Sequence, residues 1–90
     1  MKTKVENMTS SRGDTIANQF IIRDEKGNTF FQSYSSIIIK ETKDGKTFLD
    51  VNKWDYSTTT GIYRNIFLGE TKKETEKKIA EGKYTLKDLN

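Results

Sequence analysis

Ninety residues carry a net charge of +3 and contain no cysteine, histidine or proline, which defines one small domain, residues 1–90. The missing cysteine excludes disulfides and thiolate chemistry, and the missing histidine removes the commonest general base, metal ligand and neutral-pH switch. Zinc and iron sites are close to excluded, because carboxylates are the only anionic ligands left.

Apolar residues make up only 32% of the chain, but they cluster (Phe20-Ile21-Ile22, Phe30-Phe31, Ile37-Ile38-Ile39, Ile66-Phe67-Leu68) with turn residues between, which argues for a folded domain rather than disorder. No apolar run exceeds three residues, and the charged start Met1-Lys2-Thr3-Lys4 leads into none. No membrane span or signal peptide is therefore expected, and the expected setting is the cytoplasm.

Residues 4–8 read as a short edge strand and residues 9–14 as a loop; its Arg12-Gly13-Asp14 is read as a turn with a basic residue. Residues 16–23 form the first clear strand, with Phe20 and Ile22 on one face and Ile21 on the other. Residues 24–28 are a hairpin loop around Gly27, and residues 29–33 return as the next strand. Ser33-Tyr34-Ser35-Ser36 interrupts the pattern and predicts a bulge or bend between two strand segments. Residues 37–42 and 47–51 flank Asp44-Gly45, a pair that favours a type I′ turn. Together these segments predict an antiparallel meander.

The pattern then changes to helix. Ser57 or Thr58 is the expected N-cap and Gly69 the expected left-handed C-cap. Ile62, Tyr63, Ile66 and Phe67 fall on one helical face, expected to close on the sheet, with Trp54 at the joint. A second helix begins at the capping box Thr71-Lys72-Lys73-Glu74 and closes at Gly82, with Thr75, Ile79 and Ala80 available to a core. Tyr84, Leu86 and Leu89 give a last short strand or a packed tail. The predicted fold class is α+β: a small antiparallel meander of three to five strands with two short C-terminal helices packed on it.

No constellation of residues carries catalysis. Asp50 and Asp55 flank Trp54, but a carboxylate pair at a strand end is ordinarily solvated; no phosphate-binding loop or calcium loop is present, and no cofactor is expected. The expectation is a non-enzyme that works by binding. Packing does not require Asp55, Tyr56, Thr59 or Arg64 to be what they are, and Arg12 and Tyr34 sit in polar breaks. These six are the expected partner-binding residues, since tyrosine and arginine dominate interface energy. Arginine and exposed tyrosine also suit nucleic acid, the alternative partner. An uncovered edge strand leaves a route to a homodimer.

Thr9-Ser10-Ser11-Arg12-Gly13, Ala17-Asn18-Gln19-Phe20-Ile21-Ile22, Phe31-Gln32-Ser33-Tyr34, Asp55-Tyr56-Ser57-Thr58-Thr59-Thr60 and Tyr63-Arg64-Asn65-Ile66-Phe67-Leu68-Gly69 resemble a family of small uncharacterised proteins of bacteriophages and mobile elements. The resemblance spans nearly the whole chain. It implies a phage product in a bacterial cytoplasm. By analogy of size and setting, it implies an inhibitor of host defence, anti-CRISPR-like, that binds a host protein such as a defence nuclease.

Overall fold

The computed structural model of the chain describes residues 3–90; Met1 and Lys2 of the charged start lie outside them. The elements in order are β1 (Lys4–Thr9), β2 (Thr15–Arg23), β3 (Thr29–Ser33), β4 (Ser36–Glu41), β5 (Thr47–Asp50), α1 (Thr58–Leu68), α2 (Lys72–Ala80) and β6 (Tyr84–Lys87). They build one sheet in the order β1-β2-β3-β4-β5-β6. Its first five strands are an antiparallel meander, and β6 pairs parallel to β5. The α+β class is as expected, but the sheet has six strands instead of three to five and is mixed. A parallel neighbour needs a crossover of a dozen or more residues. The two helices supply it, so they lie between the last two strands of the sheet instead of following it.

Three hairpin loops share one construction. Ser10-Ser11-Arg12-Gly13-Asp14, Asp24-Glu25-Lys26-Gly27-Asn28 and Thr42-Lys43-Asp44-Gly45-Lys46 each place glycine fourth, at φ 85°, 88° and 90°. In each, the glycine N–H donates to the carbonyl of the first residue, and the first residue's N–H donates to the carbonyl of the fifth. The first side chain also caps the loop: Ser10 Oγ, Asp24 Oδ1 and Thr42 Oγ1 each accept from amides two to four residues on. Arg12-Gly13-Asp14 is thus one such turn. Asp44-Gly45 is not type I′, since only Gly45 of the pair has positive φ; it is the three-residue loop with a left-handed glycine.

Ser33–Ser36 is a full chain reversal between β3 and β4, and Tyr34 holds a positive φ of 55° there. The bulge lies further on: Phe31 pairs with Ile39 and Gln32 with Ile37, leaving Ile38 as the extra residue. Ile38 and Ile39 are consequently both fully buried in the same core, which strict alternation would forbid.

Register fixes the two faces of the sheet. Ile21, Phe31, Ile39 and Leu49 stand in one cross-strand row. Phe31, Ile38, Ile39 and Leu49, with Met8, make the buried core, against which Trp54, Tyr63, Phe67, Leu68 and Ile79 pack. The Phe67 ring stacks on Phe31, centroids 5.7 Å apart. Both helices therefore cover this face. The opposite face carries Val5, Ile22, Phe30, Lys40, Phe48 and Thr85 in one row, and no helix lies over it.

Local signals fix the helix ends as expected. Ser57 Oγ caps α1 through Thr60 N, and Gly69 closes it at φ 69°. Thr71 and Glu74 form the reciprocal capping box of α2. At the edges, β1 carries Lys4, Glu6 and an irregular register between Asn7 and Thr9, features that discourage pairing with a second chain. No helix among the described residues is long and apolar enough to cross a membrane.

Candidate binding surface

The loop between β5 and α1 is held by a buried arginine. Arg64 Nη1 donates to the Trp54 carbonyl at 2.7 Å and to Asp55 Oδ1 at 3.0 Å. Its Nε and Nη2 donate to Asn65 Oδ1, and its guanidinium lies 5.2 Å from the Trp54 ring. The side chain curls back toward the start of α1, as helical geometry directs. Only 1% of Arg64 is exposed, so its expected place on a partner-facing border is corrected: every donor nitrogen is used inside the fold. An ion this deeply buried requires such pairing.

Asp55 links this group to α2, because its Oδ2 accepts from Lys72 Nζ at 2.6 Å. Burial pushes the Asp55 carboxyl up, but the hydrogen bonds and charges of Lys72 and Arg64 outweigh it and hold it below its ordinary value. The hydrogen bond from Lys72 to Asp55, with the charge beside it, raises the lysine in turn. Asp50 is tied separately, accepting from the amides of Asn52 and Leu89 and from Asn90 Nδ2. The two carboxylates share no partner.

A second buried carboxylate escaped the sequence reading. Glu70, in the link between the helices, accepts from Thr75 Oγ1 at 2.6 Å, Lys78 Nζ at 2.7 Å and the Tyr84 hydroxyl at 2.8 Å. Burial again acts upward, and the bonds from Lys78, Thr75 and Tyr84 bring the net below the ordinary value. This cluster ties α2 and the link that precedes it to β6. The Thr75 of the predicted core edge is indeed buried, while Ala80 is exposed.

Burying Arg64 turns α1 by about one residue from its expected orientation. Thr60, Tyr63, Arg64, Phe67 and Leu68 face inward, and Thr60 Oγ1 shares a 2.9 Å buried hydrogen bond with Ser33 Oγ. Ile62 and Ile66, expected in the core, are instead 51% and 57% exposed. They sit one turn apart on the outer face of α1.

These isoleucines bridge two clefts. One, of about 430 Å³, is lined by Asp55, Tyr56, Thr58, Ile62 and Lys72 among others. Tyr56 is 45% exposed there, with Lys53 Nζ 4.9 Å from its ring. The other, of about 450 Å³, has an apolar floor of Met8, Ile21, Ile66 and Phe67 and a polar rim that includes Arg23 and Glu41. Burial pushes the Glu41 carboxyl up, while Arg23 pairs with Glu6 on β1.

Of the six expected residues, Asp55, Tyr56 and Arg64 come together in the first cleft. Thr59 is exposed on the first turn of α1. Arg12 lies at the tip of the β1–β2 loop and Tyr34 in the β3–β4 reversal. Both are exposed, and no hydrogen bond or ion pair among the described residues joins either to the Asp55 group. The helical spacing of Ile62 and Ile66 was visible in the sequence. Their exposure followed only from the competing face Thr60, Arg64, Phe67 and Leu68, which has equally regular spacing. Among the described residues, no three carboxylates gather in a way that could hold a metal ion.

A family model described as a family of unknown function (DUF8033) matches residues 3–82. No curated protein and no solved structure matches the chain.

Proposed function

The chain belongs to this family of unknown function, which supplies no activity to carry over, and from its own surface we propose that it is a non-catalytic protein-binding domain. The carrying observation is the pair Ile62 and Ile66, exposed one turn apart on α1 and joining two clefts. Burying them would have been open to a helix turned by one residue, yet the fold spends that face on Thr60 and Arg64. Contiguous exposed apolar surface with a polar rim is the usual mark of an interaction site. Tyr56 adds an anchor of the type that dominates such interfaces. The Arg64–Asp55–Lys72 network holds the ridge rigid, which lowers the cost of ordering it on binding.

The partner this surface suits is a protein that presents apolar side chains to Ile62, Ile66 and the cleft floor, with a polar group facing Arg23 and Glu41. The resemblance to bacteriophage proteins makes a bacterial defence nuclease, or its complex, the first partner to test, with inhibition as the outcome.

The test is site-specific photocrosslinking in a bacterial lysate, with the crosslinker at position 62 or 66 and, as control, at the exposed Glu76. A discrete adduct from 62 and 66 but not from 76, lost in Ile62→Lys or Ile66→Lys tested from the other position, supports the reading. In a defended host, expression should raise phage plating and the same substitutions should abolish the effect. Equal labelling from all three positions would sink the interface; unchanged plating would sink the inhibitor role.

A further inference from the structure

The sheet face away from the helices has chemistry of its own. Its main row runs Val5, Ile22, Phe30, Lys40, Phe48, Thr85 across the six strands, and Phe20, Gln32 and Ile37 form a second row beside it. None of these apolar side chains joins the core or the residues packed on it. Phe20, Phe30 and Phe48 are half-buried.

Two lysines are interleaved with the rings. Lys40 Nζ lies 5.9 Å from the Phe30 ring centroid, and Lys87 Nζ lies 5.4 Å from that of Phe48. Neither lysine enters an ion pair among the described residues. Among the described residues Asp50 holds the one acidic strand position on this face, and it is buried, with its oxygens taken by Asn52, Leu89 and Asn90. Around Phe30 and Phe48 the face is thus apolar, aromatic and cationic, while residues 88–90, bound to Asp50 and Ile37, border its far end.

We propose that this open face binds single-stranded nucleic acid, with bases stacking on Phe30 and Phe48 and backbone phosphate on Lys40 and Lys87. Along the row the order is ring, cation, ring, with Phe30 and Phe48 about 10 Å apart across β4. Base stacking on aromatic rings, with cations tracking the backbone, is the general chemistry of single-strand binding on sheets. A duplex hides its base faces and cannot use the rings. A second copy stacked on this face would bring together two surfaces that each carry the unpaired Lys40 and Lys87, which weighs against self-association there. This site is independent of the α1 surface.

The test is fluorescence anisotropy of the full chain with labelled oligothymidine and oligouridine of about 20 nucleotides, beginning at about 50 mM salt. Both strands should bind, and the matching duplex should bind at least tenfold more weakly. Any preference between the two identifies DNA or RNA. Lys40→Gln with Lys87→Gln should reduce the slope of log K against log salt by about 1.4, from two phosphate contacts. Phe30→Leu keeps an apolar side chain but removes the ring; it should weaken binding roughly tenfold with the slope unchanged. Should Phe30→Leu not fold, the exposed lysine pair still decides. Ile62→Gln, which alters the helix surface without adding charge, should bind the strands as the unaltered chain does, which separates this site from the helix surface. Absent binding, equal binding to duplex, or affinity indifferent to both substitutions overturns the proposal. So does a dimer in light scattering that Phe30→Glu dissolves, because a second copy would then own the face.

Discussion

The two faces of the sheet divide the apolar side chains in an instructive way. The covered face buries Phe31, Ile38, Ile39 and Leu49, but it also takes in Gln19, Ser33, Thr60 and Arg64. The open face keeps Phe20, Ile22, Phe30 and Phe48 only half-buried, and α1 turns Ile62 and Ile66 fully outward. A 90-residue chain has little apolar material to spare. Here a sizeable share of it stands at surfaces while polar groups occupy the interior. Such a trade is hard to account for by stability alone, and it is why both functional proposals rest on what the core leaves out.

The contrast can be broken most directly by truncating a ring on each face. Phe31→Ala, fully buried and stacked on Phe67, should cost about 3–5 kcal/mol. Phe48→Ala on the open face should cost on the order of 1 kcal/mol, in keeping with partial burial. Urea unfolding measures both, and equal losses would mean that the open face is part of the core.

The faces of α1 make the next comparison. Arg64→Leu strands the Trp54 carbonyl and removes one of the two cations from Asp55. It should cost roughly 3 kcal/mol, whereas Ile62→Lys and Ile66→Lys should stay within about 0.5 kcal/mol. The reverse order in thermal unfolding would restore the orientation read from the sequence.

Smaller still is Gln19. It is 1% exposed, and neither its amide nitrogen nor its amide oxygen has a partner. Replacing it by methionine removes two buried unsatisfied groups at similar volume, and stability should rise by about 1 kcal/mol; a loss would mean that the amide is satisfied in solution.

Acid unfolding separates the carboxylates by sign. Asp55 and Glu70 are held below their ordinary values of 3.8 and 4.5. Their contribution is complete above those values and is lost as pH falls through the lower folded ones. Glu41 is raised above 4.5, so its protonation favours the fold as pH falls through the raised value. Glu70→Gln should flatten the acid limb of the stability curve, and Glu41→Gln should steepen it by removing the opposing contribution.

What the chain encodes locally was legible without coordinates. The loops around Gly27 and Gly45, the caps Ser57 and Gly69, and the Thr71–Glu74 box depend on residues within five positions of one another, and each lies where the sequence places it. The common plan of the three hairpins is visible as a polar residue followed three positions later by glycine, although only the φ angles distinguish it from type I′. Long-range pairing decided the rest. The parallel β6 depends on Thr47 meeting Tyr84; the alternation Tyr84-Thr85-Leu86-Lys87 reads as a short strand, but four residues do not say which strand it joins or in which direction. The burial of Ile38 beside Ile39 depends on a register shift against β3. The orientation of α1 was undetermined because two faces one residue apart share Tyr63 and Phe67. Choosing between them required Trp54, Asp55 and Ser33 to be in place to receive Arg64 and Thr60. Periodicity counts apolar residues and so favoured Ile62 and Ile66. Tertiary structure can instead bury a charge whose every donor is satisfied, and that pairing set the outer face of the helix.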